Sequence, residues 1–265
     1  MTDPLYRQIA DDLRLKIESG ELAPGSQLPT ELELREQYDN ASRNTVRDAI
    51  KSLATRGLVI SYPGRGTFVM EKIKPFVVPL NQSETGPGGD SSEAFQKAAV
   101  LQARGARVSD PRVEVQNASL DVARELKTEQ GSAVVIRHVQ RFVDESPNSL
   151  QTSYYPMEFV QNGAVELLQA RDIGMGATRY VQQTLGIKRS GLRDRLLVRP
   201  PNAGELAFFR LPEAGSLLVI ETHRTVYADD RKPLRYTVTV YAADRNHFVI
   251  ESGEVQPLKE LIEDL

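Results

Sequence analysis

A short run of polar side chains in the first quarter of the chain can bind the bases and phosphates of DNA. The run consists of Ser42, Arg43, Asn44, Thr45 and Arg47. Arginine and asparagine can each form two hydrogen bonds with a base edge in the major groove. The surrounding spacing predicts a helix whose exposed first turn presents these residues together, as the recognition helix of a helix-turn-helix does. We therefore interpret Arg43, Asn44, Thr45 and Arg47 as candidate DNA contacts.

A second group of candidate contacts follows in the glycine-rich run after Pro63. Glycine allows the backbone to approach a phosphate or the floor of the minor groove, and an arginine there supplies positive charge. Segments rich in strand-forming residues, Leu58–Tyr62 and Thr67–Met70, flank the run. The sequence therefore predicts a hairpin, or wing, whose turn is Pro63-Gly64-Arg65-Gly66.

Two helices must position the candidate base-reading residues. Thr30 and Glu33 have the spacing of a capping box, which opens the first helix. Ser42 can cap the second helix. The second helix gains a buried stripe from apolar residues three or four positions apart, namely Val46, Ile50 and Leu53. A further helix is predicted before them, over Leu5–Ser19.

The charge of this region is opposite to that of the whole chain. Residues 35–74 hold eight basic and four acidic side chains, whereas the chain has a net charge of -3. One arginine alone is more simply explained as a solvated surface charge. A local basic face on an acidic protein is instead typical of a confined DNA footprint.

Composition excludes several other classes of protein. The chain has no cysteine, which removes disulfides, thiolate nucleophiles and zinc fingers. Its three histidines lack metal-binding spacing, so we expect neither a metal nor a cofactor. No apolar run approaches the ~20 residues that span a bilayer, and the charged N-terminus does not resemble a signal peptide. We expect a cytoplasmic protein without membrane contact, associated with the nucleoid when bound to DNA.

Alternating apolar and polar residues dominate the second half of the chain and predict an antiparallel sheet. The predicted strands cover residues 113–120, 133–143, 149–156, 191–200, 216–228 and 234–244. Predicted helices cover residues 93–104, 121–127, 159–170, 177–185 and 203–209. This irregular order favours an α+β fold over regular βαβ alternation.

These patterns divide the 265 residues into two domains. Residues 1–74 form the predicted DNA-binding domain, residues 75–92 a linker and residues 93–265 the second domain. Proline, glycine and serine in residues 81–92 predict a flexible tether. The apolar run Phe76–Leu80 instead predicts that the first part of the linker packs on a domain as an edge strand.

The stretch Pro4–Val69 resembles the winged helix-turn-helix domain of the GntR family of bacterial transcription regulators. The matching runs are PLYRQIADDLRLKIESGELAPGSQLPTELEL, SRNTVRDAI, GLV and GRGTFV. The resemblance implies binding of double-stranded operator DNA as a homodimer, with contacts from Ser42, Arg43, Asn44, Thr45, Arg47, Gly64, Arg65, Gly66 and Thr67. The family often has a DNA-contacting arginine where this chain has Leu32.

The stretch Arg107–Val255 resembles the effector-binding (UTRA) domain of the HutC subfamily, which shares its fold with chorismate lyase. The matching runs include TSYYP, ELAFFRLPEAGSLLVIETHRTVYADDRKP and VYAADRNHF. The resemblance implies an effector-binding and dimerisation domain. It also implies that a small molecule releases or repositions the DNA.

The candidate effector-binding residues come from strand alternation and from this resemblance. Alternation places Arg137, Val139 and Arg141 on one face of a strand, where a covered arginine needs an anionic partner. The resemblance places Arg141 at an anion-binding position and Tyr241 at a ligand-binding position. The full set is Arg137, Arg141, Gln151, Tyr154, Arg235 and Tyr241.

Three departures from the family pattern make a sugar-phosphate effector less expected. Val139 replaces an arginine, and Gln151 and Arg235 each replace a glutamate. Salt bridges to neighbouring residues are the alternative role for Arg137, Arg141 and Arg235, with Glu221 as a candidate partner of Arg235. Tyrosines such as Tyr154 are more often core than ligand contacts.

We expect a transcription regulator, acting as a repressor, that binds a palindromic operator as a dimer and responds to a small polar or anionic effector. Two alternatives stay open at this point. One is a chorismate lyase-like enzyme fused to a DNA-binding head, and the other is a constitutive DNA-binding protein without an effector. No nucleophile–base pair or phosphate-cradling loop is visible, so we do not expect an enzyme.

Overall fold

The structure, a computed structural model, describes residues 3–62, 64–70, 74–80, 92–211, 217–256 and 258–263. The chain forms two compact units, Met1–Ile73 with Arg210–Ser216, and Lys74–Phe209 with Leu217–Leu265. The fold is α+β, as predicted. Within the described residues, no helix combines the length and apolar character needed to cross a bilayer.

The first unit is a helical head with a hairpin. Its elements are α1 (Leu5–Glu18), α2 (Glu31–Gln37), α3 (Arg43–Thr55), β1 (Val59–Tyr62) and β2 (Gly66–Val69). Both predicted caps are confirmed: Thr30 and Glu33 form a capping box, and Ser42 caps α3. One core joins the helices and the hairpin, and its buried side chains include Ile9, Leu13, Leu34, Val46, Leu53 and Val69. Burying each large apolar side chain contributes about 1.5–3 kcal/mol.

The second unit is built on a seven-stranded antiparallel sheet with the order β4-β6-β7-β10-β9-β8, in which β5 also pairs with β6. These strands are β4 (Ala106–Val108), β5 (Arg112–Asn117), β6 (Ala133–Val143), β7 (Ser146–Pro156), β8 (Arg189–Arg199), β9 (Val219–Ala228) and β10 (Pro233–Ala242). Its helices are α4 (Ser92–Leu101), α5 (Leu120–Leu126), α6 (Met157–Gln161), α7 (Ala177–Leu185), α8 (Ala203–Phe209) and α9 (Leu258–Glu263).

Side-chain alternation gives the sheet two covered faces. On one face, Ile136 and Tyr236 pack against α5. On the other, Val135 and Tyr155 pack against α7 and the segment before it. The second face carries the candidate effector residues, so its coverings are also the walls of the candidate site.

The sequence prediction of one helix over residues 159–170 was wrong. The chain instead forms α6 and a separate 3-10 helix, Val165–Leu168. Gly163 separates them with a φ of 113°, which an α-helix cannot accommodate. The short strand β4, the helix α9 and a further strand, β11 (Asn246–Val249), lacked a periodic pattern long enough to predict.

The apolar part of the predicted linker is a buried strand, as the sequence predicted. Residues Phe76–Pro79 form β3, which pairs in parallel with β11. Along its other edge, the Val77 N–H donates to Gln102 Oε1 at 2.8 Å, and Gln102 Nε2 donates to the Val77 carbonyl at 2.9 Å. A side-chain amide thus replaces a neighbouring strand at this point. The tether predicted over residues 81–92 lies outside the described residues up to residue 91, and Ser92 begins α4.

We expect Gln102→Leu to release β3, because it leaves the buried N–H and carbonyl of Val77 without partners. Each orphaned buried group costs about 1–3 kcal/mol, so the opening free energy of β3 should fall by about 3 kcal/mol. Hydrogen exchange of the Val77 amide measures this opening and should accelerate by roughly two orders of magnitude. The control, Gln183→Leu on the exposed side of α7, should not change it. Equal Val77 protection in Gln102→Leu and the unsubstituted protein would contradict the assigned role.

Candidate DNA interface and effector cavity

The first turn of α3 presents the candidate base-reading residues to solvent. The Ser42 hydroxyl accepts the backbone N–H of Thr45 at 3.1 Å, which fixes the start of the helix. Ser42, Arg43, Asn44 and Arg47 are exposed, while Val46 on the opposite side is fully buried. The amphipathic helix therefore uses its apolar side for the core and leaves this polar side for a partner.

Glu31 links the two arginines of this surface. Its carboxylate accepts Arg43 Nε at 2.9 Å and Arg47 Nε at 2.8 Å. The hydrogen bond from Arg47, and then the one from Arg43, hold the pKa of Glu31 below its usual range. Sequence reasoning did not identify Glu31 as a site residue. Its position at the start of a neighbouring helix does not reveal this contact without the angle between the helices.

The wing lies beside this surface and is anchored by the chain segment before α2. The backbone N–H of Leu28 donates to the carbonyl of Thr67 at 2.7 Å, and Gln27 Nε2 donates to the carbonyl of Arg65 at 3.2 Å. Arg65 and Gly64 are exposed at the tip. Pro63, which the sequence predicts to be part of the turn, lies outside the described residues.

The glycine at position 66 is required by the shape of the wing. Gly66 has a φ of 109°, which side-chain-bearing residues rarely adopt. A Cβ there would lie 2.3 Å from Gln27 Nε2.

A groove runs between α3 and the wing, and its lining includes Glu31, Arg47 and Thr67. Four of the nine predicted DNA contacts, Arg47 of α3 and Gly64, Gly66 and Thr67 of the wing, therefore line one groove.

Leu32, the departure from the family pattern, is exposed on α2. An apolar side chain there cannot donate a hydrogen bond to a base, whereas the arginine common in the family can. The operator position read by that arginine is therefore expected to differ in this protein.

In the second unit, strand register aligns polar side chains in rows across one face of the sheet. Three cross-strand rows result: Arg137, Ser153, Thr237 and Arg224; Val139, Gln151, Thr239 and Thr222; and Arg141, Ser149 and Tyr241. Polar groups on a covered face are costly unless they meet partners or a ligand. The rows therefore identify this face as the candidate effector site.

Two adjoining cavities lie over these rows and share Arg141. The first contains about 540 Å³ of empty space, counted out to its mouth, between the sheet and a wall made by β3 and α4. The second contains about 470 Å³ between the sheet and the start of α7. Tyr241 lines the first cavity, Gln151 and Arg235 line the second, and Arg141 lines both.

The polar groups of the second cavity are deeply buried. Arg141 is 4% exposed, its guanidinium lies 5.2 Å from the centre of the Phe95 ring, and burial lowers its pKa. Gln151 Nε2 donates to Ser153 Oγ at 3.3 Å, while Gln151 Oε1 has no hydrogen-bond partner among the described residues. The cavity thus offers both a buried cation and a buried hydrogen-bond acceptor.

Arg137 has a role that neither sequence alternative anticipated. Its guanidinium donates to the backbone carbonyls of Leu167 at 2.8 Å, Gln169 at 2.8 Å and Arg171 at 2.7 Å. It lines the second cavity, but these bonds commit its terminal nitrogens to the loop that closes the cavity. Arg137 is therefore a support of the site, and it forms bonds to carbonyls where a carboxylate partner was expected.

Tyr154 does not lie with the other candidate residues. Because side chains alternate along β7, it packs toward α5 and stacks on Tyr236 with 5.6 Å between ring centres. Its neighbour Tyr155 lines the second cavity instead, where burial raises its pKa to about 12. The structure therefore does not support the assignment of Tyr154 to the effector site, because the adjacent residue, Tyr155, is the one that faces the cavity.

The suggested pairing of Arg235 with Glu221 is also not formed. Arg235 lies opposite Val226 on β9, whereas Glu221 lies five positions away, opposite Val240. Glu221 pairs with Arg199 and with His223. Arg235 lines the second cavity.

Sequence reasoning missed two charged residues of this face. Arg224 on β9 forms two hydrogen bonds of 2.7 Å with Asp194 of β8 and lines the first cavity. Asp172, before α7, lines the second cavity and accepts the Ser92 hydroxyl at 3.0 Å. Alternation within β9 offered a signal for Arg224, but only the register could place it beside Thr237.

Comparison with known proteins agrees with this architecture. Residues 5–69 match the model of the bacterial regulatory proteins of the gntR family, and residues 109–247 match the UTRA domain. SCO4628, an HTH-type transcriptional regulator of Streptomyces coelicolor, is 30% identical over 247 residues, which are 91% of this chain and 90% of that protein. The HTH-type transcriptional repressor NagR of Bacillus subtilis is 26% identical and spans 93% of each chain.

Solved structures show the same fold. A GntR-family transcriptional regulator has a TM-score of 0.68 at 25% identity, covering 96% of this chain and 99% of that chain. PhnF of Mycobacterium smegmatis has a TM-score of 0.56 at 20% identity, covering 93% of this chain and 100% of its own. Both matched domains are regulatory domains, and the relatives are named as transcriptional regulators. The prediction that the chain is not an enzyme is therefore confirmed.

Proposed function

Because the chain belongs to the GntR family and carries a UTRA domain, it is a transcription regulator, and we propose that it acts as a repressor. In this proposal, two chains bind a palindromic operator, and a small polar or anionic effector releases or repositions them. Repression is proposed because the relative NagR is named a repressor. The observation that carries DNA recognition is the exposed first turn of α3 beside the wing arginine.

Recognition of the operator would combine base reading with phosphate binding. Arg43 and Arg47 project from α3, whose N-terminal end enters the major groove in helix-turn-helix proteins. Arginine there pairs with two acceptors of guanine. Arg65 stands on a glycine-rich tip that can approach the DNA backbone closely, so we assign it to a phosphate or to the minor groove.

A dimer is proposed because one DNA-binding head contacts too few base pairs to recognise a whole palindrome. A single recognition helix contacts only a few base pairs, and two heads related by a two-fold axis read both halves of a palindrome. Linking two binding modules raises the overall affinity by up to about 10²–10⁴-fold. We assign dimerisation to the second unit, because the first unit closes its own core with residues between Ile9 and Val69.

The effector site is proposed in the two cavities that share Arg141. Among the described residues, three arginines line the second cavity, namely Arg137, Arg141 and Arg235. Only one described carboxylate, that of Asp172, lines it with them. An excess of buried cations favours a negatively charged ligand group. Gln151 Oε1 favours a donor, such as a hydroxyl or amine, on the same ligand.

The first cavity favours a less polar part of the same molecule. Phe76 and Phe95 form much of its wall, opposite the hydroxyl groups of Thr237 and Thr239. Phe76 belongs to β3, the strand that follows the DNA-binding head in the chain. A ligand in this cavity would contact that strand directly. Through this contact the effector would bind the DNA-bound and the released state with different affinities, and that difference would shift the equilibrium between the two states.

Arg43→Ala and Arg47→Ala are each expected to weaken operator binding by about 1–3 kcal/mol, more than binding to a scrambled duplex, because base contacts are lost. Fluorescence anisotropy with an operator selected from a random pool measures both affinities. The control is Arg56→Ala, which removes the same charge from the residue after α3, where Arg56 pairs with Asp11. Equal operator affinity in all three variants would refute the assigned recognition surface.

The operator complex is expected to contain two chains, and the head alone should bind poorly. A fragment ending at Lys74 retains the core of the first unit but lacks β3 and the second unit. Its operator affinity should fall by about 10²–10⁴-fold as avidity is lost. Analytical ultracentrifugation counts the chains on the operator. Unchanged affinity of the fragment, or one chain per operator, would rule out the assigned dimerising role.

Arg141→Ala is expected to remove the response to the effector while leaving operator binding intact, because it removes the cation shared by both cavities. A thermal-shift screen of anionic metabolites first identifies a ligand, since binding at 100 times Kd adds ~2.7 kcal/mol of stability. Operator affinity is then measured with and without that ligand. Arg141→Lys tests whether charge alone suffices, and the exposed Arg112→Ala is the control. Release at the same ligand concentration in Arg141→Ala would assign Arg141 a structural role.

A further inference from the structure

Glu31 is a negatively charged residue placed in the groove that the proposed function assigns to negatively charged DNA. It begins α2 and lines the groove between α3 and the wing, together with Arg47. A carboxylate near phosphates weakens non-specific binding, since like charges repel. Its presence there therefore needs a compensating role.

The compensating role lies in its two contacts. Arg43 and Arg47 are one helical turn apart on α3, and their side chains are 64% and 53% exposed. An exposed arginine samples many rotamers, and fixing such a side chain on binding lowers the affinity by about two- to tenfold. The two carboxylate oxygens of Glu31 each accept one Nε–H, Oε2 from Arg43 at 2.9 Å and Oε1 from Arg47 at 2.8 Å, so a single side chain orients both arginines.

The atoms that contact Glu31 leave the terminal nitrogens of both arginines available to bind a base. Each contact uses the Nε–H of a guanidinium, while a guanine can be recognised by the two terminal nitrogens of the same group. An exposed ion pair adds little to folding stability. The effect of the contact is therefore expected in recognition and not in the stability of the head.

We propose that Glu31 is a positioning residue that orders Arg43 and Arg47 for base recognition and so increases the preference for operator over other DNA. The inference rests on the proposed DNA binding. The proposal concerns two quantities, the affinity for operator and the affinity for unrelated DNA. Removal of an ordinary surface charge would change both affinities in the same direction. Loss of Glu31 lowers affinity for the operator, because the arginines are no longer ordered, while affinity for unrelated DNA stays the same or rises.

The test compares the full-length protein with its Glu31→Gln and Glu31→Ala variants on two duplexes. One duplex is an operator selected from a random pool by the unsubstituted protein, and the other is its scrambled sequence. We expect operator affinity to fall by about five- to tenfold, as the ordering of at least one arginine is lost. Binding of the scrambled duplex should stay the same or tighten by up to about threefold. The matched control is Glu36→Gln, which removes the same charge from an exposed position of α2.

A double-mutant cycle links the effect to the arginines. In a protein that already carries Arg43→Ala and Arg47→Ala, Glu31→Gln should no longer change the ratio of operator to scrambled affinity. An equal loss on both duplexes would overturn the proposal, because it would show a structural role in α2. An equal gain on both would also overturn it, because it would show only repulsion of phosphates. If the unsubstituted protein selects no operator, the proposed function itself fails, which is a distinct outcome.

Discussion

The cost of burying positive charge determines the architecture of the second unit. Arg137, Arg141, Arg224 and Arg235 lie on one face of the sheet and are each at most 7% exposed. A guanidinium in such surroundings must recover the hydration it loses. Backbone carbonyls of a loop do this for Arg137, and Asp194 does it for Arg224. The loop before α7 and the edge strand β8 are thus held by the residues that line the cavities.

The two halves of the protein meet different physical requirements. In the head, the apolar side of α3 provides stability, and its polar side is left for the partner. The second unit instead places polar groups inside and covers them with β3, α4 and α7. Its cavity wall includes β3, the first strand after the head in the sequence.

Local signals predicted the head well and the cavity only in part. Caps depend on residues three apart, and the caps of α2 and α3 were both confirmed. Alternation identified the strands but could not fix which of Tyr154 and Tyr155 faced the cavity, because a shift of one residue reverses the faces. Arg224 and Asp194 meet through register, and Glu31 meets the recognition arginines through helix packing. Such contacts join residues far apart in sequence, so periodicity does not encode them.

The side-chain amide of Gln102 also has a consequence for the behaviour of the protein at high concentration. A short apolar strand such as β3 presents a free row of backbone groups on its outer edge, and such rows recruit strands from other molecules. Gln102 occupies both backbone groups of Val77 on that edge, and Pro79 has no N–H to offer. The edge is thereby closed to intermolecular pairing. Replacing this glutamine would leave both backbone groups of Val77 unpaired, so that each opening of β3 would make this edge available to another chain.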